Sequence, residues 1–394
     1  MKNIKIFGAG YVGLSLAVVL ARKHKVEIFD IVPEKVDAIN KGTTPISDKG
    51  IEDYLIHVTS SGNLVASLFK SENTLNADII ILALPTNFDP ESNQFDTRQL
   101  DDTLLSIAST GYSGTIIIKS TIPVGYTDKT VEKFGFGNCF YSPEFLREGQ
   151  AVHDNLHPSR IIVGGSDTAA VEFAEILLNV SHERSVPIIY TENKTAEFIK
   201  LASNTYLAMR IAFFNEIDSF AMYKNLKSED VITGICADQR IGEGYNNPSF
   251  AYGGYCLPKD VRQLQGTVEE NNLLLPLLSS IHGSNEVRLN FIVSEIEKCG
   301  AKTIGIYRLQ MKQGSDNSRE AANYRILEKL AKNKDLTIKL YEPILQVPTE
   351  YKSLKVNDLQ EFIEKSDLII ANRGATELHS CRDKLFTRDI YNEN

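Results

Sequence analysis

The sequence predicts an α/β protein with two Rossmann-like domains joined by a central region that is built on a long helix. Short apolar runs alternate with helix-like segments in the first half of the chain and again near its end. Between these parts, the stretch 195–223 contains neither glycine nor proline and has the pattern of one long helix. Alternating strands and helices are typical of parallel sheets. The predicted domains are residues 1–193, 194–299 and 300–394.

The apolar runs of the first domain predict strands, because they are short and alternate with helix-like segments. These strands are Asn3–Phe7, Val26–Phe29, Ile79–Leu84, Thr115–Lys119, Cys139–Ser142 and Ile161–Gly164. Helical spacing of apolar residues predicts the crossover helices Val12–Arg22 and Pro33–Asn40.

The same patterns predict the elements that follow the long helix. In the central region they indicate helices at Ser228–Cys236, Asp260–Glu270 and Pro276–Cys299. In the last domain strands alternate again with helices, at Thr303–Tyr307, Glu320–Lys332, Thr337–Tyr341, Asp358–Lys365 and Leu368–Asn372.

Composition and charge exclude several classes of protein. The net charge of −9 argues against a nucleic-acid partner. The chain starts directly with a strand-like segment, and its longest apolar run, Ile79–Leu84, is too short to span a bilayer, so we expect neither a signal peptide nor a membrane partner. The five cysteines lack CxxC spacing, which predicts no metal site and favours a reducing, cytoplasmic location.

A glycine motif, GAGYVG at residues 8–13, follows the first strand and opens the first helix. Its first glycine permits a tight turn, its second lets a pyrophosphate approach the backbone, and its third lets helix and strand pack closely. Asp30 ends the second strand, where a carboxylate binds a ribose hydroxyl and repels a 2′-phosphate, so NAD is favoured over NADP. The competing interpretation is a glycine turn without a ligand.

A second motif places a thiol, an amine and a carboxylate together in GGYCLPKD, residues 253–260. A nearby ammonium increases the thiolate fraction of a cysteine. A thiolate that adds to an aldehyde gives an adduct with a hydride to donate, and the resulting thioester is cleaved by water. Cys256 therefore points to an alcohol oxidised as far as a carboxylate. The competing interpretation, a small buried hydrophobe, is retained for the other four cysteines.

Two residues of the long helix form a further candidate pair. Lys200 and Asn204 are four residues apart, so both project from one face of the helix and can converge on a single oxygen. The alternative is a solvated lysine beside a surface asparagine.

Other candidates have structural alternatives as well. Glu144 and Glu148 lie in an apolar segment, which would raise their pKa values and suit a general acid or base, although with Arg147 they could form a surface ion cluster. Asp260 could activate water or serve as a helix N-terminal carboxylate. Thr121 follows a buried-looking strand, where α/β sheets bind ligands, or it caps a turn.

Several motifs, taken in their order along the chain, give the sequence a family resemblance. The chain resembles the UDP-glucose/GDP-mannose dehydrogenase family over nearly its whole length, and it is most similar to the bacterial members that act on UDP-glucose. The resemblance depends on the order of several motifs: residues 8–13, LPTN at 84–87, KSTIPVG at 119–125, SPEFLREG at 142–149, Lys200 with Asn204, residues 253–260, and SDNSRE at 315–320.

The resemblance implies roles for individual residues. It implies NAD contacts at Gly8, Gly10, Tyr11, Val12, Gly13, Asp30, Lys35, Thr86, Thr121, Lys259 and Arg319, although Arg319 could also belong to an ordinary helix start. It implies nucleotide-sugar contacts at Glu144, Phe145, Leu146, Arg147, Glu148, Lys200, Asn204, Tyr245, Asn246, Asn247, Pro248, Ser249, Gly253 and Lys312. Catalysis falls to Cys256, Lys200, Asn204, Asp260, Thr121 and Glu148. Arg240 would reach the substrate of a neighbouring subunit, which implies a homodimer formed through the long-helix region.

The reaction implied is the oxidation of UDP-glucose to UDP-glucuronate with two NAD⁺, through a thiohemiacetal and a thioester on Cys256. Lys200 and a water held by Thr121 and Asp260 would assist the first oxidation. Related enzymes act on GDP-mannose or on N-acetylated UDP-sugars, so these substrates remain alternatives. Two rival functions are a two-electron dehydrogenase of the hydroxyacid type, which needs no thiol, and a non-catalytic NAD-binding or scaffold protein.

Overall fold

Two isoleucine-rich runs form neighbouring strands of a parallel sheet. The strands that contain Ile79–Leu82 and Thr115–Ile118 are buried along their whole length, as expected for a sheet covered on both faces. The computed structural model describes residues 1–69, 76–309 and 321–392. Within it the chain divides into two compact units, Met1–Ala202 and Ser203–Asn394. The division into three domains at 193/194 and 299/300 stays a prediction.

The first unit alternates strands and helices. Its elements are β1 (Asn3–Phe7), α1 (Tyr11–Ala21), β2 (Lys25–Asp30), α2 (Pro33–Asn40), α3 (Lys49–Ser60), β3 (Leu64–Leu68), β4 (Ile79–Leu82), β5 (Phe88–Asp89), β6 (Gln94–Phe95), α4 (Arg98–Ser109), β7 (Thr115–Ile118), α5 (Tyr126–Phe134), β8 (Cys139–Tyr141), α6 (Ala151–Leu156), β9 (Ile161–Val163), α7 (Thr168–Val180) and β10 (Ile188–Tyr190).

The sheet of the first unit has the strand order β3-β2-β1-β4-β7-β8, and its neighbouring strands are parallel. Strands β9 and β10 form a separate parallel pair. Helix α1 is apolar on almost every side and is buried within the core on one face of the sheet. The order reverses direction between β1 and β4, which is where open α/β sheets bind ligands.

Helix α8 (Asn193–Tyr223) contains the boundary between the two units. The second unit continues with α9 (Ser228–Cys236), α10 (Cys256–Glu270), α11 (Pro276–Lys298), β11 (Thr303–Tyr307), α12 (Ala322–Leu330), β12 (Thr337–Tyr341), α13 (Leu359–Glu364), β13 (Leu368–Ile370) and β14 (Leu385–Phe386). Short 3-10 helices cover Thr349–Leu354 and Thr376–Lys384. Strands β12, β11, β13 and β14 form a parallel sheet in that order.

The predicted α/β class, the parallel sheets and the long helix are confirmed. The sequence patterns did not predict β3 or β10; two of the five residues of β3 and two of the three residues of β10 are exposed. The helix predicted to begin at Asp260 begins instead at Cys256. The proline at position 258 lies in the first turn of this helix, where its missing N–H is tolerated. Part of the helix predicted at Glu320–Lys332 lies outside the described residues.

Candidate active site

The glycine loop between β1 and α1 is shaped by backbone contacts. A Cβ at Gly13 would lie 1.8 Å from the carbonyl oxygen of Gly8, and a Cβ at Gly8 would lie 2.3 Å from the carbonyl oxygen of Ala83. Gly8 also has a φ of +101°, in the region that favours glycine. A Cβ at Gly10 would meet no protein atom within 4 Å. Packing therefore requires the first and third glycines, whereas the second leaves open space above the loop.

That open space fits the pyrophosphate of a dinucleotide. It lies at the start of α1, whose first residues are Tyr11 and Val12, so the helix N-terminus favours an anion there. Asp30 ends β2 beside the loop: its carboxylate accepts hydrogen bonds from the backbone N–H of Ala9 at 2.9 Å and of Val32 at 3.0 Å. The ammonium of Lys35 lies 3.9 Å from the same carboxylate. These residues fit the expected NAD site.

Two threonines lie at the carboxyl ends of adjacent strands. Thr86 follows β4 and Thr121 follows β7, and both are buried. The hydroxyl of Thr86 donates to the carbonyl oxygen of Thr121 at 2.6 Å. Both threonines therefore lie at the edge of the sheet where parallel α/β folds bind ligands.

Lys200 forms a buried ion pair with Glu144. Its ammonium lies 2.7 Å from Glu144 Oε1 and donates to the Glu144 carbonyl oxygen at 2.9 Å. Only 3% of Lys200 is exposed, so the alternative of a solvated surface lysine is wrong. The prediction of a raised Glu144 pKa is also wrong. Burial alone would raise this pKa, but the charge and hydrogen bond of Lys200 hold it below its ordinary value.

The rest of the 142–149 segment is more open. Phe145 and Leu146 are half-buried, and the Phe145 ring lies between two cations, with the guanidinium of Arg160 3.7 Å and the ammonium of Lys200 5.5 Å from its centre. Arg147 is exposed and pairs with Asp154 at 2.6 Å. Glu148 is half-buried in the turn before α6.

Lys119 and Glu197 are buried charged residues of this unit to which the sequence assigns no role. The ammonium of Lys119 donates to the carbonyl oxygens of Ser142 at 3.0 Å and Pro143 at 3.3 Å, and burial lowers the pKa of Lys119 to about 8. Glu197 accepts hydrogen bonds from the backbone N–H groups of Gly125 and Thr127, at the start of α5. Two sequence features could have indicated these residues. Lys119 directly follows a run of isoleucines, and Glu197 lies one helical turn before Lys200.

In the second unit, the cysteine segment forms the first turns of α10. Cys256 is its first residue and is half-buried. The Lys259 ammonium donates to Asp260 Oδ1 at 2.9 Å, and Asn204 donates to Asp260 Oδ2 at 2.5 Å. Burial opposes the charge of Lys259, but Asp260, Cys256 and Tyr255 together raise its pKa.

The structural alternatives given above for Asp260 and Asn204 are therefore wrong. Asp260 is fully buried in the second turn of α10, so it is not a carboxylate at the exposed start of a helix. Asn204 is 7% exposed and hydrogen-bonded, so it is not a surface asparagine.

The predicted sugar-nucleotide segment 245–249 is a loop after α9. Tyr245 is exposed and has a φ of +54°, whereas Asn246 and Ser249 are buried. Gly253 lies between this loop and α10. Arg240 is exposed and paired with Asp238 at 2.6 Å. Lys312 and Arg319, to which contacts with the sugar nucleotide and NAD were assigned, lie outside the described residues.

The remaining cysteines fit their structural interpretation only in part. Cys139, Cys236 and Cys381 are buried, and burial raises the pKa of Cys139 to about 12. Cys299 is exposed at the end of α11.

Among the described residues, no group of ligand side chains is arranged to hold a metal ion. Over the same residues, no helix combines the length and apolar character needed to cross a membrane.

Comparison with known protein families gives two adjacent matches. Residues 2–180 match the NAD binding domain of the UDP-glucose/GDP-mannose dehydrogenase family, and residues 194–287 match the central domain of the same family. The chain is 42% identical to a UDP-glucose 6-dehydrogenase of Campylobacter jejuni over 99% of both chains. It is also 42% identical to a UDP-glucose 6-dehydrogenase of Streptococcus pneumoniae over 99% of both chains.

Solved structures show the same fold. A UDP-glucose dehydrogenase from Pyrobaculum islandicum superposes with a TM-score of 0.85 at 26% identity, covering 94% of this chain and 90% of the other. A UDP-D-ManNAc dehydrogenase from Pyrococcus horikoshii gives a TM-score of 0.84 at 23% identity, covering 98% and 93%.

Proposed function

The chain belongs to the UDP-glucose/GDP-mannose dehydrogenase family, and we therefore propose that it oxidises UDP-glucose to UDP-glucuronate with two NAD⁺ and one water. The observation that carries this proposal is the group around Cys256 in the second unit. A thiol at the start of a helix, a buried ammonium and a buried carboxylate lie within two turns of α10. The full-length relatives named UDP-glucose 6-dehydrogenase support the choice of sugar.

The glycine loop, Asp30 and Lys35 would hold NAD, which when bound takes up a hydride in each of the two oxidations. The open space at Gly10 admits the pyrophosphate, and Asp30 is already oriented by two backbone N–H groups. Thr86 and Thr121 lie at the strand ends that face a ligand in this kind of sheet.

Lys200 supplies positive charge where a negative oxygen develops on the sugar C6 atom. Its ion pair with Glu144 gives the buried ammonium a counter-charge and fixes its position. Asn204 follows four residues later on the same helix and offers an amide to the same oxygen. Thr121 and Glu148 are proposed to handle water and protons in the first unit.

Cys256 performs the covalent step. Its thiolate adds to the C6 aldehyde carbon, and the carbonyl π bond becomes a C–O⁻ group, which gives a thiohemiacetal. The second oxidation converts this adduct into a thioester. Water then adds to the thioester carbon and Asp260 accepts one of its protons. The C–S bond breaks to release the thiolate and the carboxylic acid, which loses the second proton to solvent and becomes the carboxylate. The Lys259 ammonium donates a hydrogen bond to Asp260 Oδ1 and holds this carboxylate in place.

The count of NADH formed per sugar tests the proposal. Limiting UDP-glucose should yield two NADH and one UDP-glucuronate, because both oxidations occur on one enzyme. One NADH per sugar would instead support a two-electron dehydrogenase, and no NADH would support a non-catalytic NAD-binding protein. GDP-mannose and UDP-N-acetylhexosamines in the same assay test the sugar: a higher kcat/KM with either of them would overturn the choice of UDP-glucose.

We also propose a homodimer formed through α8. Tyr206, Phe213 and Phe220 are spaced by seven residues on this helix and are 54%, 50% and 60% exposed. A stripe of large exposed side chains at this spacing is typical of helices that pack against another helix. Arg240 is proposed to reach the sugar bound by the partner subunit.

Light scattering on Phe213→Ser tests the dimer. The variant should shift toward monomer, whereas Leu105→Ser, which changes an exposed leucine of α4, should not. An unchanged mass for Phe213→Ser at micromolar concentration would count against this interface.

We further propose a cytoplasmic location, since all five cysteines are free thiols and such sets are typical of reducing compartments.

A further inference from the structure

The loop 245–250 of the second unit has an unusual backbone, and it is fixed at its start by a side chain of α8. Gly242, Gly244 and Tyr245 all have positive φ angles, of +64°, +95° and +54°. The guanidinium of Arg210 donates to the carbonyl oxygens of Gly242 and Gly244, each at 2.6 Å. Glycine adopts a positive φ without strain, so it is the conformation of Tyr245 that the surroundings must stabilise.

The middle of the loop is fixed from α8 and α11. The backbone N–H of Ser249 donates to Asn215 Oδ1 at 2.8 Å, and the Ser249 carbonyl oxygen accepts from Arg288 at 2.9 Å. Arg288 is itself held by the fully buried carboxylate of Asp218 at 2.5 Å. Burial alone would raise the pKa of Asp218, but hydrogen bonds and charges from Arg388 and Arg288 hold it low.

The segments after β13 and β14 fix the end of the loop. Asn372 accepts a hydrogen bond from the backbone N–H of Phe250 at 2.9 Å, and Arg373 donates to the carbonyl oxygen of Pro248 at 2.7 Å. These two residues directly follow the strand β13 and its neighbour Ala371, so a rigid sheet supports them.

Asp389 joins the loop to that sheet. Its Oδ1 accepts from the side-chain amide of Asn247 at 2.7 Å, and its Oδ2 accepts from the backbone N–H of Gly374 at 2.9 Å. The other side of Asn247 accepts from the backbone N–H of Ile390 at 3.1 Å. Asp389 is 5% exposed, so these hydrogen bonds are shielded from water. Its neighbour Arg388 donates to Asp218, so two consecutive residues hold the same loop by separate routes.

We propose that Asp389 is a positioning residue that holds Asn247, and with it the loop 245–250, in the conformation that receives the nucleotide sugar. This inference rests on the proposed function, because it takes the loop to be the sugar-nucleotide contact. A loop fixed before binding loses little conformational freedom when the ligand arrives, whereas a released loop must be ordered by the ligand. Loss of Asp389 therefore weakens sugar binding without changing the chemical groups.

Steady-state kinetics on Asp389→Ala test the proposal. The KM for UDP-glucose should rise about tenfold, while kcat and the KM for NAD stay within about twofold of wild type. Asp389→Asn keeps one acceptor oxygen and should raise the KM by about threefold. The matched control is Asp383→Ala, an exposed carboxylate of the 3-10 helix before β14, which should behave as wild type.

An unchanged UDP-glucose KM in Asp389→Ala, or an equal rise in the KM for NAD, overturns the inference. If a thermal melt shows that Asp389→Ala is not folded, Asp389→Asn is used in its place. A KM for UDP-glucose equal to that of wild type in Asp389→Asn also overturns the inference. A second measurement separates positioning from general damage. In an Asn247→Ala background, Asp389→Ala should add less than twofold, because its effect passes through Asn247; full additivity overturns this route.

Measurements on the wild-type protein distinguish a failure of this inference from a failure of the proposed function. A wild-type protein that neither binds nor oxidises UDP-glucose overturns the proposed function. A wild-type protein that does both, beside an Asp389→Ala variant with unchanged sugar binding in calorimetry, overturns only the role of Asp389.

Discussion

The two units fix their ligand loops in different ways. The glycine loop of the first unit is shaped by backbone atoms, because Cβ atoms at Gly8 and Gly13 would strike carbonyl oxygens. The loop 245–250 of the second unit is instead held by charged and amide side chains from distant parts of the chain. A loop of the first kind requires one residue type at fixed positions, whereas a loop of the second kind requires partners that only the folded unit brings together.

The largest effect should come from the side-chain chemistry of the second unit. Cys256→Ala removes the nucleophile, so uronate formation should fall by about 10³-fold or more. Chromatography of the sugar nucleotides measures this, and Cys299→Ala, at an exposed cysteine, serves as the control. Uronate formed by Cys256→Ala at the wild-type rate would show that no covalent intermediate is needed.

The buried ion pair between Lys200 and Glu144 shows that the first unit also depends on side-chain contacts. Glu144→Gln leaves the buried Lys200 ammonium without its counter-charge and should cost about 3–5 kcal/mol of unfolding free energy at neutral pH. The folded pKa of Glu144 lies below its unfolded value of 4.5, so its contribution is fully present above that value.

This contribution is lost as the pH falls through the lower, folded pKa, so the gap between wild type and Glu144→Gln should narrow in acid. Chemical denaturation at several pH values measures it. The exposed Glu175→Gln should change stability by less than about 0.5 kcal/mol at every pH. A gap that widens in acid would contradict the low pKa.

The second and third glycines of the loop, Gly10 and Gly13, test the backbone half of the comparison. Gly10→Ala meets no protein atom, so the thermal stability of the ligand-free protein should hold while the KM for NAD rises about tenfold. Gly13→Ala would place its Cβ against the Gly8 carbonyl and should destabilise the fold by about 1–3 kcal/mol. Equal effects of both variants on stability would mean that Gly10 also serves packing.

The smallest effect concerns Lys119. Its folded pKa of about 8 lies below the unfolded value of 10.5, so the unfolded chain binds more protons between these values. The stability of wild type relative to Lys119→Met should therefore rise as the pH increases from 8 to 10.5. Denaturant melts across this range measure the trend, and the exposed Lys129→Met should show none. A flat difference for Lys119→Met would contradict the burial of its charge.

The sequence was sufficient for features that depend on local pattern. The parallel strands follow from runs such as Ile79–Leu82, and the glycine loop follows from its spacing, because each reflects a demand of neighbouring atoms in the chain. The motif at residues 253–260 pointed to Cys256, Lys259 and Asp260, and the family resemblance assigned their roles. The hydrogen bonds of Asp260 with Lys259 and Asn204 became visible only in the structure.

Other features could not be read from the sequence for a physical reason. The low pKa of Glu144 depends on Lys200, which is 56 residues away along the chain. Apolar neighbours alone suggested the opposite shift. Likewise, Asp389 reaches Asn247 across 142 residues, and no local pattern distinguishes it from an exposed aspartate.

The distribution of the thiols has a practical use. Three cysteines are buried, so Cys256 and Cys299 are those most open to an alkylating reagent. In a Cys299→Ser background a maleimide dye would report chiefly on Cys256, and sugar nucleotide that covers this sulfur would slow the labelling. Occupancy could then be followed by fluorescence without any turnover.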